Sequence, residues 1–135
     1  MKNFDDQANP GVPTNDRSSG CVTIVEFQRL IRDMYYAKDV TRGVSGTFMW
    51  LMEEVGELST ALRETSSGDS TSLDAAELEK RRMNLQEEFA DVLAWLFTIA
   101  NVAEVDLNQA IREKYGSGCP GCQQFICICP DSIKS

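Results

Sequence analysis

Residues 50–62, WLMEEVGELSTAL, and residues 87–100, EEFADVLAWLFTIA, decide the fold. In the first, Leu51, Val55, Leu58 and Leu62 recur at the three- and four-residue steps of one helix face, and in the second Phe89, Val92, Leu96 and Ile99 do the same. Neither stretch alternates with the two-residue period of a strand. Acids sit at the margins of both stripes: Glu53 and Glu54 followed by Glu57 in one, Glu88 followed by Asp91 in the other. Side chains three apart are neighbours on a helix, so Glu54 with Glu57, and Glu88 with Asp91, each present two carboxylates side by side.

The flanking sequence repeats the helical pattern. Ile24, Phe27, Leu30, Ile31 and Met34 predict a first helix over residues 23–38. Residues 39–45, with Gly43 inside and Gly46 just beyond, predict a loop before the second helix over 47–64. Residues 65–72, TSSGDSTS, read as a polar connection, and Asp74 with Glu77 as the start of a long third helix, with Arg81 and Arg82 as a candidate break. Asp106 with Gln109 resembles a capping box opening a short fourth helix to Tyr115, stopped by Gly116 and Gly118. Only the residues around Ile126 and Ile128 hint at strand alternation. The expected fold is all-α, a four-helix bundle over residues 22–116, preceded by a flexible polar tail (1–21) and followed by a Cys-rich tail (117–135).

Composition narrows the chemistry. A chain of 135 residues, 42% of them hydrophobic, makes one domain with one modest core. Thirteen basic against 21 acidic residues leave a formal charge of -8, which repels nucleic acid and anionic membranes. No apolar run approaches the ~20 residues that span a bilayer, and the N-terminal residues lack the apolar stretch of a signal peptide, so a cytoplasmic location is expected. Histidine is absent, which removes Ser-His-Asp and Cys-His nucleophiles and every His-ligated zinc. Hydrolysis by this chain has to rest on carboxylates and a hard metal.

The acids are short of partners. Helical surface acids usually find Lys or Arg three or four residues away, worth about 0.2–0.5 kcal/mol per pair. The helical neighbours of Glu54 are Trp50, Leu51, Glu57 and Leu58, those of Glu88 are Asn84, Leu85, Asp91 and Val92, and those of Asp91 are Glu87, Glu88, Ala94 and Trp95. Solvated surface acids are the plain alternative, but like charges at these spacings destabilise a helix unless a cation sits between them. Carboxylate-only ligation selects a hard ion, Mg²⁺ first and Mn²⁺ second.

The pattern Glu-Glu-x-x-Glu on one helix and Glu-x-x-Asp on the next resembles the all-helical nucleotide pyrophosphohydrolases, the MazG-like group, related to dimeric dUTPases and dCTP pyrophosphatases. The likeness covers roughly residues 22–116. It implies Mg-dependent cleavage of a nucleoside triphosphate to the monophosphate and pyrophosphate, with Glu54, Glu57, Glu88 and Asp91 as metal ligands. For Glu53 two roles stay open, orienting or deprotonating the attacking water, or serving as an outer acid. Lys114 matches a lysine that follows the last helix in relatives and is a candidate phosphate contact. Many relatives continue with an Asn and an Arg, where this chain turns into GSGCPGC. Lys38 and Arg42 are candidate replacements and equally ordinary solvated charges. Trp50 and Trp95 each lie one helical turn from an acidic motif, placed either to stack on a base or to pack in the core.

Four of five cysteines fall within eleven residues: Cys119-x-x-Cys122 and Cys127-x-Cys129. Reduced thiols at this density read as a closed Cys₄ zinc site, with a redox-active, disulfide-bonded or unstructured tail as alternatives, and Cys21 is left over as incidental. Phe97, Leu93 and Ile126 are expected to lack partners within the chain, and with the family likeness this points to a homodimer or homotetramer. Two competing functions are a nucleotide-binding or regulatory module that does not hydrolyse, and a structural protein that engages a partner through the Cys-rich tail.

Overall fold

The computed structural model describes residues 22–66 and 73–130. The N-terminal tail, Cys21 and most of the polar connection lie outside the described residues. Among those described there are three helices and no strand: α1 (Ile24–Ser66), α2 (Ala75–Val102) and α3 (Leu107–Tyr115). The all-α expectation holds, but the count of four does not, because the first two expected helices are continuous apart from one residue. Gly43, at φ 76° and ψ 174°, breaks α1 into two arms where a loop over 39–45 was expected. That backbone region is open almost only to glycine. Flanking hydroxyls tie the break down: Thr41 Oγ1 donates to the Ala37 carbonyl at 3.0 Å, and the fully buried Thr47 donates to that of Gly43 at 2.8 Å.

Each start is capped. Thr23 and Glu26 form a reciprocal box, Glu26 N–H donating to Thr23 Oγ1 at 3.2 Å and Thr23 N–H to the Glu26 carboxylate at 2.8 Å. Asp74 accepts from Glu77 N–H at 2.8 Å, as expected of a helix start. Asp106 likewise accepts from Gln109 N–H, but the Gln109 side chain turns to Glu113 at 2.7 Å instead of closing the box. The candidate break at Arg81 and Arg82 does not occur: both pair along the helix, Arg81 with Glu77 and Arg82 with Glu79, and α2 runs through. The end of α2 is a Schellman turn, with Glu104 N–H on the Asn101 carbonyl, Val105 N–H on that of Ala100, and Glu104 itself at φ 57°.

The second arm of α1 packs along α2. The buried or half-buried positions include Thr47, Leu51, Glu54, Leu58 and Ala61 on one side, and Leu85, Glu88, Val92, Trp95 and Ile99 on the other. Both series step by four and three, the spacing of a helix–helix seam. Phe97 is buried, with its ring edge-on to Phe27 at 5.0 Å, which corrects the expectation that it lacks a partner. Leu93 and Ile126 are exposed as expected. Gln28 joins all three helices: its amide donates to Asn101 Oδ1 and the Val105 carbonyl and accepts from Leu107 N–H, while Asn101 donates back to the Gln28 carbonyl. No helix among the described residues is long and apolar enough to cross a membrane.

Candidate active site

Glu54 and Glu88 occupy seam positions where a helical pair ordinarily places leucine, and packing α1 on α2 therefore brings their carboxylates together. One carboxylate oxygen each from Glu54, Glu57 and Glu88 lies within 4.8 Å of the others. Asp91 falls outside that trio, yet its charge acts on both Glu54 and Glu88. Burial first, and then Asp91, push the Glu54 carboxyl above its ordinary value, with a hydrogen bond from Trp95 partly opposing them. Burial raises Glu88 as well, followed by Glu57, Asp91 and Glu54. Glu88 Oε2 is buried and has no hydrogen-bond partner. A buried oxygen left unsatisfied among like charges is destabilising by itself, so the donor set fits a bound hard cation.

An open groove of about 400 Å³ runs past this cluster, lined by Glu53, Glu57, Thr60, Glu64, Asn84 and Glu88. Glu53 therefore faces the same space as two members of the trio. Thr60, Glu64 and Asn84 were not singled out by sequence. For Asn84 the signal was available, since it lies one turn before Glu88 on the same face.

Trp95 buttresses the site. Its indole N–H donates to Glu54 Oε1 at 3.0 Å, its ring stacks on Trp50 at 5.8 Å and 10°, and the Arg42 guanidinium lies 5.0 Å from its centroid. Arg42 is itself held by the buried Asp39 at 2.9 Å, on the turn just before Gly43. The break in α1 thus sets a cation beside the tryptophan that holds Glu54. Lys38 is exposed one turn earlier and makes no ion pair among the described residues. Lys114 lies over the ring of its neighbour Tyr115, at 5.3 Å, and is not brought into contact with the carboxylates.

The cysteines converge separately. Sγ atoms of Cys119, Cys122, Cys127 and Cys129 all lie within 4.8 Å of one another, and all four thiols are free. Backbone N–H groups of Cys122 and Gly121 aim at Cys119 and hold its thiol down to about 6, whereas neighbouring Cys127 and Cys122 push Cys129 up to about 12. The strand hint at Ile126 and Ile128 is not realised, and both residues are exposed coil.

A helical pair with facing carboxylates and an adjoining groove defines an all-α domain with a candidate metal-dependent site. The sequence profile of the MazG nucleotide pyrophosphohydrolase domain matches residues 43–122, more than half of the chain. The chain belongs to that family, and its function class is nucleotide pyrophosphohydrolysis. No curated protein matches it significantly. The match begins at the glycine that breaks α1 and ends at the second cysteine of the tail.

Proposed function

We propose that this domain hydrolyses nucleoside triphosphates to the monophosphate and pyrophosphate, with Mg²⁺, or Mn²⁺ in its place, held by Glu54, Glu57, Glu88 and Asp91. The observation that carries this reading is the partnerless buried oxygen of Glu88, set against two further carboxylates at the head of an open groove. Solvated surface acids do not explain a carboxylate oxygen removed from water with nothing to satisfy it. The ion, when bound, supplies the positive charge that lets a triphosphate approach four acids and that stabilises charge developing at phosphorus.

The chain's own residues do the rest. Glu54 is fixed by Trp95, so its oxygen is aimed before substrate arrives. Glu53, on the groove wall, accepts the proton of the attacking water while that water's oxygen bonds to phosphorus. The bridge between the α- and β-phosphates breaks, and pyrophosphate leaves. Arg42, held between Asp39 and Trp95, is a built cation for a phosphate, with Lys38 and Lys114 as outer contacts. The partly exposed Trp50, stacked on Trp95, offers a surface for a base.

The working unit is a homodimer or homotetramer in a reducing cytoplasm. Phe89, Leu93 and Leu96 on α2 form a second apolar stripe, and Phe48, Met52, Val55 and Leu62 another on α1, all exposed in the single chain. Exposed apolar surface of that extent marks an association face. The test is incubation of the purified chain with a panel of nucleoside triphosphates and Mg²⁺, reading pyrophosphate against orthophosphate, for the native chain and Glu57→Gln. Pyrophosphate from the native chain alone is expected. Orthophosphate, or an unaffected variant, overturns the assignment, and nucleotide binding without turnover returns the chain to a regulatory role.

A further inference from the structure

We propose that Cys119, Cys122, Cys127 and Cys129 form a closed tetrathiolate zinc site, separate from the acidic centre, that gives the C-terminal segment its shape. The distances fit one ion. A Zn–S bond of about 2.3 Å places the sulfurs of a tetrahedron about 3.8 Å apart. Here Cys119 lies 3.4 Å from Cys127 and 3.8 Å from Cys129, and no pair in the group exceeds 4.8 Å. Bonded disulfide sulfurs sit at about 2.05 Å, well inside these separations. Thiolates select zinc over the hard ions that suit the carboxylates, so the two clusters do not compete for one metal.

The backbone is folded around the sulfurs. Cys119 N–H donates to the Gln124 carbonyl and Gln123 N–H to that of Cys119, closing a tight turn with Gly118 at φ 99° and Gln123 at φ 57°. Gly121 leaves the space the cluster needs, because a Cβ there would come within 2.9 Å of Cys129 Sγ. Cys129 N–H points at Cys127 Sγ at 3.4 Å, a donor that offsets thiolate charge. No apolar core does this work: Phe125, Ile126 and Ile128 are 91%, 84% and 75% exposed, and no helix or strand follows α3 among the described residues. A segment ordered without burial needs a crosslink to offset its chain entropy, and the converging sulfurs are the available one. Four protein ligands fill a tetrahedron, so the ion would be structural.

The full-length chain, purified reduced and with zinc supplied, is expected to retain one zinc per chain through gel filtration. Replacement by cobalt should give intense thiolate-to-metal absorption and the strong ligand-field bands of a tetrahedral ion. Cys122→Ser and Cys129→Ser should each weaken zinc binding at least tenfold with helicity unchanged by circular dichroism, whereas Glu57→Gln keeps its zinc. That last variant separates this inference from the nucleotide reading, since either can fail alone. A reduced native chain that binds no zinc overturns the proposal, as does a weak octahedral cobalt spectrum, a coloured iron–thiolate protein, or paired disulfides. The native cobalt spectrum decides the matter even where a cysteine variant does not fold.

Discussion

The acidic centre and the cysteine knuckle each gather ligand atoms within 4.8 Å, but they are assembled by opposite means. The carboxylates are carried by two packed helices and forced together by a seam that would form without them. The thiols are carried by coil whose apolar side chains are exposed, held within the segment by a few backbone hydrogen bonds and no buried core. The helical centre should therefore keep its shape when stripped of metal and gain stability when its acids are neutralised. The knuckle should lose its shape.

The sharpest way to break that contrast is Glu88→Gln. Activity should fall about 10²–10³-fold, the usual cost of removing one preorganised electrostatic contact, while the metal-free chain becomes more stable by about 1 kcal/mol because a buried charge without a partner is gone. Steady-state pyrophosphate release and urea unfolding measure the two, and zinc content should not change. A variant that loses both activity and stability would show that Glu88 is structural. Next in size, Gly43→Ala should destabilise the chain by about 1–3 kcal/mol, since φ 76° with ψ 174° excludes a Cβ-bearing residue. It should weaken the acidic centre and leave the knuckle's zinc in place.

Trp95→Phe keeps the ring but removes the donor to Glu54. Mg²⁺ affinity, followed by titration of activity, should drop about 10-fold, as for other outer partners of metal ligands. The pH dependence follows from the raised carboxyls of Glu54 and Glu88. A folded-state value above the unfolded one means that the native chain binds more protons, so stability falls as pH rises through the folded values. The metal-free chain should thus melt at a higher temperature in the ordinary carboxylate range than at a pH above the raised values of Glu54 and Glu88, and saturating Mg²⁺ should erase most of the difference. The smallest effect is expected at the end of α2, where Glu104→Gly relieves a left-handed residue and should stabilise the chain by about 0.5–1 kcal/mol.

The seam residues were legible because burial imposes a period, and Leu51, Leu58, Leu85 and Val92 keep it. Glu54 and Glu88 were legible because they stand on that period without cationic neighbours, and Glu57 because it lies three residues after Glu54. Asp74 and Asp106 were legible as caps. Other features depend on contacts far apart in sequence, which no local pattern records: Trp95 on Glu54, 41 residues away, and Gln28 on Asn101, 73 residues away. Residues 39–45 misled because Gly43 and the adjoining Gly46 suggest a loop, whereas only Gly43 leaves helical geometry and Gly46 continues it. Arg81 and Arg82 were a candidate break, but each has its own acid on the same helix.

The single-residue break in α1 also bears on which length changes the chain tolerates. A helix turns about 100° per residue, and only ten residues separate Gly43 from Glu54. Adding or deleting one residue in that interval would swing Glu54 and Glu57 out of register with the Asp39–Arg42 pair by more than a quarter of a turn. Insertions there should be as damaging as loss of a ligand, although of the intervening positions only Glu53 lines the groove beside the carboxylate trio.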